Sequence, residues 1–124
     1  MTTVLDIGNC NADHFFITTM LKSNFDANVL RAHGADDALT TLEENEVDLI
    51  MINRLLDVDH SEGMDVFRKI KSNPKFESIP AMLITNFDDH QKAAMEEGAV
   101  QGFGKSALTS DSVVAVVKDA LSSS

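Results

Sequence analysis

The chain has 124 residues, 44% of them hydrophobic and 24% charged, with twenty acidic side chains against ten basic ones and a formal charge of −10 at pH 7. That length suits one domain with a single sizeable core. No apolar run reaches membrane-spanning length, and so acidic a surface repels nucleic acid and anionic lipid. Cys10 is the only cysteine, which excludes an internal disulfide and fits a reducing cytoplasm.

Short β-branched or apolar runs alternate with segments of helical spacing. Residues 4–7 read as a first strand, entered directly from Met1-Thr2-Thr3 with no basic region or small-residue cleavage site ahead of it. A helix then opens near Asn11, a good N-cap residue, and turns Phe16, Ile17, Met20 and Leu21 inward. A second strand over residues 28–32 leads to a helix over 35–44 with Ala38, Leu39 and Leu42 on its inner face. Residues 47–52 form a third strand, apolar from Leu49 to Ile52 as burial on both faces requires, and it ends at the polar Asn53. The third helix follows Gly63, presents Met64, Phe67 and Ile70, and stops short of Pro74, which could not continue it.

Residues 81–85 make a fourth strand. The helix over 89–97 has Asp88 and Asp89 at its positive end and Gly98 at the C′ position. Residues 100–103 make a fifth strand, and a last helix opens at Thr109 or Ser110 with Val113, Val116, Val117, Ala120 and Leu121 as its stripe. Met20, Met51, Met64, Met82 and Met95 read as core filler, with the surface of the fourth helix as the alternative place for Met95.

Strand and helix repeated five times argue for an α/β fold, a doubly wound (βα)5 domain over residues 1–124 whose parallel sheet is covered on both faces. In open sheets of this kind ligands bind outside the carboxyl ends of the strands. The candidate site is therefore Gly8 and Asn9, Asn53, Thr85 and Lys105.

Those positions carry a resemblance. Asn11-Ala12-Asp13 opens the first helix, Asp48-Leu49-Ile50 leads the third strand, Ile79-Pro80 precedes the fourth and Thr85 ends it. Gly98-Ala99 precedes the fifth strand, and Lys105 follows it. In this order and spacing the chain resembles the receiver domains of two-component response regulators, the CheY-like family. The resemblance implies a flavodoxin-like sheet of five strands in the order 2-1-3-4-5. It also implies a site in which two acidic residues after the first strand and an aspartate after the third hold Mg²⁺. That aspartate takes the phosphoryl group, and a Thr or Ser and a Lys contact it. Thr85 and Lys105 match. Gly8 and Asn9 stand at the acidic pair and Asn53 at the acceptor, so all three carboxylates are missing. The chain departs elsewhere too. Gly102 replaces an aromatic residue three positions before the lysine, beside Phe103. Ser106 follows the lysine where the family has a proline in a cis peptide. Residues 55–62 form a longer loop without the family's proline. A cis bond without proline costs about 2.5–4 kcal/mol, so Lys105–Ser106 is expected to be trans.

Mg²⁺ requires hard, usually anionic oxygen ligands, and an amide nitrogen is no nucleophile for forming an acyl phosphate. The sequence thus predicts neither tight Mg²⁺ binding nor phosphorylation at Asn53, and no cofactor. Asp6 lies two residues before Gly8 on the same strand face. It is the expected partner of Lys105, leaning into the space the glycine leaves. Asn9, Asn53 and Thr85 are expected to satisfy one another as a neutral cluster, with a small pocket for an anion or polar ligand near Lys105 as the alternative. Asp57, Asp59 and Glu62 form an acidic loop, and a displaced acceptor at Asp57 or Asp59 is the rival reading. The run from Asp57 to Gly63 is no calcium loop, since it lacks glycine at the sixth position and has Arg68 where the closing Glu belongs. His14, His33, His60 and His90 match no metal motif. By analogy with the family, the face of the fourth helix, fifth strand and fifth helix offers His90, Gln91, Ala94, Gly102, Ala107 and Leu108 to a signalling protein or to a second copy of the chain. The reading is a non-enzymatic, cytoplasmic pseudo-receiver that signals through protein contacts.

Overall fold

The computed structural model describes residues 2–107 and 110–122. In chain order it contains β1 (Thr2–Ile7), α1 (Asn11–Phe25), β2 (Ala27–Ala32), α2 (Ala35–Glu44), β3 (Leu49–Asn53), α3 (Gly63–Lys71), β4 (Ala81–Ile84), α4 (Asp88–Glu96), a 3₁₀ turn at Lys105–Ala107 and α5 (Asp111–Ser122). The sheet is parallel, in the order β2-β1-β3-β4. Val4 pairs with Val29 on one side and Leu49 on the other, and Asn53 pairs with Ile84.

Strand alternation divides the core into two layers. Leu5, Ile7, Ile50, Ile52 and Leu83 face α2 and α3, where Ala38, Leu42, Val66, Phe67 and Ile70 meet them. Val4, Leu49, Met51, Met82 and Ile84 face α1 and α5, where Ile17, Leu21, Val113 and Val117 close the layer. Asp6 shares the phase of Val4 and so points toward α1, a placement that decides its partners.

Three sequence expectations change. The fifth strand is not a strand of the sheet among the described residues: four strands are present. Residues 99–103 do run beside β4, tied by Val100 N–H to the Ala81 carbonyl at 3.0 Å and by Thr85 N–H to the Phe103 carbonyl at 3.0 Å. Between these ties the Gly102 N–H is taken by the side chain of Gln91, which interrupts the ladder. In α1, Ile17, Met20 and Leu21 are buried as expected, but Phe16 is 46% exposed and packs edge-on against the exposed Phe15. The helix also begins one residue earlier than an Asn11 cap would place it, with Cys10 at the N-cap and no side-chain cap. Gly98 lies at φ 107 past the end of α4, where a left-handed backbone suits glycine. Thr109, one of the two proposed openings of the last helix, lies outside the described residues. Among the described residues, no peptide bond is cis, Lys105–Ser106 included, and no helix is long and apolar enough to cross a membrane.

Candidate functional site

Asn53 closes β3 and is 8% exposed. Its Nδ2 donates to the Gly8 carbonyl at 3.1 Å and to the Leu55 carbonyl at 2.7 Å. Both partners are acceptors, so the nitrogen must face them. The Gly8 carbonyl also accepts the Asp57 N–H at 3.0 Å. Gly8 itself has φ 77, and a Cβ there would collide with the Leu56 side chain. Leu56 reaches this place because the loop folds back on itself. Its N–H donates to the Ser61 carbonyl at 2.9 Å, its carbonyl accepts His60 N–H at 2.8 Å, and Leu55 bridges Glu62. The space beside Gly8, expected to admit the Asp6 carboxylate, is filled by a buried isobutyl group.

Asp6 instead stays fully buried beneath α1. Asn9 Nδ2 donates to its Oδ1 at 2.5 Å, and His14 Nδ1 lies 2.6 Å from its Oδ2. The Asp6–Lys105 pair does not form. Lys105 is 36% exposed and pairs at the rim with Asp13, Nζ to Oδ2 at 2.7 Å. The first turn of α1 supplies both partners: His14 points down at the strand and Asp13 out at the lysine. A half-exposed lysine needs no buried counter-charge, whereas a fully buried carboxylate must be hydrogen-bonded. His14 Nε2 continues to Thr18 Oγ1 at 3.4 Å. The hydroxyl–imidazole–carboxylate order is that of a catalytic triad. Thr18 is one turn along the same helix, however, and neither it nor His14 lines the cavity that Asn53, Thr85 and Lys105 share. The arrangement serves the buried acid.

Thr85 is buried at the end of β4, with Oγ1 accepting the Phe87 N–H at 3.3 Å. Asn53, Thr85 and Lys105 line one cavity of about 390 Å³ together with Asp57, Arg54 and Phe87. Asn9 does not join them, being held by Asp6, so the expected neutral cluster of Asn9, Asn53 and Thr85 is not formed. Arg54 lies over the exposed Phe87 ring, 5.8 Å from its centroid. The Asp57 carboxylate is engaged by His33 Nδ1 at 3.2 Å and Arg31 at 4.0 Å. Asp59 is turned into its own loop, accepting from Ser61 N–H and hydroxyl at 2.9 and 2.6 Å. The Ser61 hydroxyl, then its N–H, holds the Asp59 carboxyl below its ordinary range.

A hard divalent cation fits this donor set poorly. The Gly8 and Leu55 carbonyls are already taken by an amide N–H, an apolar side chain covers the glycine, and no group of three His, Cys, Asp or Glu side chains converges among the described residues.

The expected partner face is also altered. Ala94 packs α4 onto the sheet and is buried, and Gly102 is buried against the Leu83 carbonyl, so neither is available at the surface. His90, Gln91 and Ala107 are half-buried, and Leu108 lies outside the described residues. Phe87 at 56% exposure and Met95 at 45% are the large apolar groups on this side. Sequence reasoning missed Leu56, His14 as the Asp6 partner, Asp13 and Arg31. The one available signal was a buried-strand aspartate one residue before the strand end, which demands a donor from the helix that follows.

No protein-family model and no curated protein matches the sequence. Solved structures do. The chain is similar to the signal receiver domain of a DNA-binding response regulator from Colwellia psychrerythraea, with TM-score 0.76 and 22% identity over 95% of this chain and 99% of that one. It is similar to NtrX from Brucella abortus, with TM-score 0.83 and 20% identity over 99% of this chain and 27% of that longer one. Chemotaxis protein CheY4 of Vibrio cholerae gives TM-score 0.69 and 16% identity over 83% and 84%. The fold is that of a CheY-like receiver domain.

Proposed function

We propose that this chain is a receiver-type module of two-component signalling that acts by protein contact and takes no phosphoryl group at Asn53. The observation that carries the reading is the bonding of that side chain: Nδ2 donates to the Gly8 and Leu55 carbonyls, beneath the Leu56 side chain. An amide suits this place as a structural group. A carboxylate would set oxygen against oxygen, and neither a nucleophile nor a Mg²⁺ ligand set is offered. The module is non-enzymatic and cytoplasmic, and its partner is a signalling protein or a second copy. The net charge of −10 disfavours nucleic acid and anionic lipid. A second reading rests on Asp57, the one carboxylate among the cavity's described lining residues, as a displaced acceptor.

The test is mass spectrometry after incubation with a small phosphodonor and Mg²⁺, with beryllofluoride titration followed by NMR. Unchanged mass and unchanged spectra at Thr85 and Lys105 are expected. A phosphoryl adduct on the peptide bearing Asn53 would overturn the proposal. An adduct that maps to Asp57 and vanishes in Asp57→Asn would establish the second reading in its place.

A further inference from the structure

Beyond β4 the sheet continues through a side chain. In a regular parallel ladder starting from the Met82–Val100 bridge, the next donor, Gly102 N–H, would reach the Leu83 carbonyl, and the Gly102 carbonyl would accept Thr85 N–H. Here Gly102 N–H donates to Gln91 Oε1 at 3.0 Å, and Gln91 Nε2 donates to the Leu83 carbonyl at 2.9 Å. The same nitrogen lies 3.4 Å from the Thr85 carbonyl, while Thr85 N–H has moved on by one residue to the Phe103 carbonyl. A carboxamide has the donor and acceptor of a peptide group. Gln91, on α4, is spliced into the ladder as one. Its orientation is fixed, because its nitrogen meets only carbonyls and its oxygen meets an N–H.

The direct bond is nevertheless within reach. Gly102 lies so close to β4 that a Cβ on it would collide with the Leu83 carbonyl oxygen. Withdrawing the carboxamide frees that carbonyl and the Gly102 N–H together, one acceptor and one donor at the same stretch of sheet edge. Residues 100–103 also have the strand character of a fifth β-strand in sequence. In either arrangement Gly102 N–H, Thr85 N–H and the Leu83 carbonyl each have a partner, as buried backbone groups require.

We propose that Gln91 is a latch, with two states: carboxamide in, tethering α4 to the sheet edge, or carboxamide out, with Gly102 bonded directly to Leu83 and the fifth strand complete. Closing the ladder moves the Thr85 tie from Phe103 back to Gly102, a one-residue slip that repositions Phe103 and, two residues on, Lys105. The latch therefore couples the exposed side of α4 to the cavity that Lys105 lines, through a bistable element. It requires no phosphoryl chemistry and stands whether or not Asn53 is a structural amide.

Scalar couplings across hydrogen bonds in the full chain test this directly. In the wild type, Gly102 nitrogen couples to the Gln91 side-chain carbonyl carbon. In Gln91→Leu, that coupling is replaced by one to the Leu83 carbonyl carbon. Gly102 amide exchange then stays within about threefold of wild type, and the Thr85 and Lys105 resonances shift together. Two results overturn the proposal. One is a Gly102 amide in the variant that exchanges tenfold or more faster with no coupling to Leu83, which makes the edge merely open. The other is the absence of the Gln91 coupling in the wild type, a measurement that does not depend on the variant folding.

Discussion

Asn53→Asp restores the residue type that a working receiver carries and should damage this protein. The substitution deletes two donated bonds. The Gly8 carbonyl keeps the Asp57 N–H at 3.0 Å, so its loss is about 1 kcal/mol. The Leu55 carbonyl receives no other N–H among the described residues, and leaving it unpaired costs about 1–3 kcal/mol. The new carboxylate oxygen would also lie against both carbonyls at a position 8% exposed. A total of about 2–4 kcal/mol at pH 7 corresponds to a Tm lower by roughly 6–20 °C for a domain of this size. Burial and the facing carbonyl dipoles raise the pKa of the introduced carboxyl above its unfolded value. The native state then binds the proton more tightly, and the deficit shrinks as pH falls, because the protonated acid can donate one bond again. Thermal and urea unfolding at pH 7 and about pH 5, with and without Mg²⁺, should show a deficit that is smaller at the lower pH and indifferent to the metal. A variant as stable as wild type at pH 7, or one rescued by Mg²⁺, would refute the reasoning.

Gly8→Asp should be equally unwelcome. Its φ of 77 is left-handed and its Cβ would strike Leu56, so strain of about 1–2 kcal/mol adds to overpacking of about 1–3 kcal/mol. Urea denaturation reads the loss, and unchanged stability would show that the loop over Gly8 is free to move. The acid limb of stability is set in part by three carboxyls held below their ordinary range. Glu97 is held there by the Arg68 guanidinium, Asp59 by Ser61. Asp37 is pushed up by burial but pulled down further by the N–H groups of His33 and Gly34. A carboxyl whose folded pKa is depressed adds stability that is present above its unfolded pKa of about 4 and is lost as pH falls below it. Urea midpoints should therefore drop from pH 5 to pH 3, and Arg68→Ala should flatten the drop. A slope identical in Arg68→Ala and wild type would remove the Arg68–Glu97 pair from this account.

Periodicity and punctuation alone make much of the molecule legible. The four ordered strands, the five helices, the turn at Gly98 and the convergence of Asn53, Thr85 and Lys105 at the carboxyl ends of the strands follow from local rules of backbone geometry, acting within a few residues. The absence of charge at Gly8, Asn9 and Asn53 is equally a matter of reading letters. Which groups then satisfy one another is decided over distance. Leu56 covers Gly8 because a loop of this length closes through Leu56, His60 and Ser61. Asp6 meets His14, and Lys105 meets Asp13, because the packed fold brings the first turn of α1 to both. Gln91 enters the sheet edge in place of a peptide group, and the fifth strand is lost to it. A hydrogen bond recognises any donor of suitable geometry, whether its neighbour in sequence or a side chain from another helix. The chain therefore specifies which polar groups must be paired, and only the packed fold selects their partners.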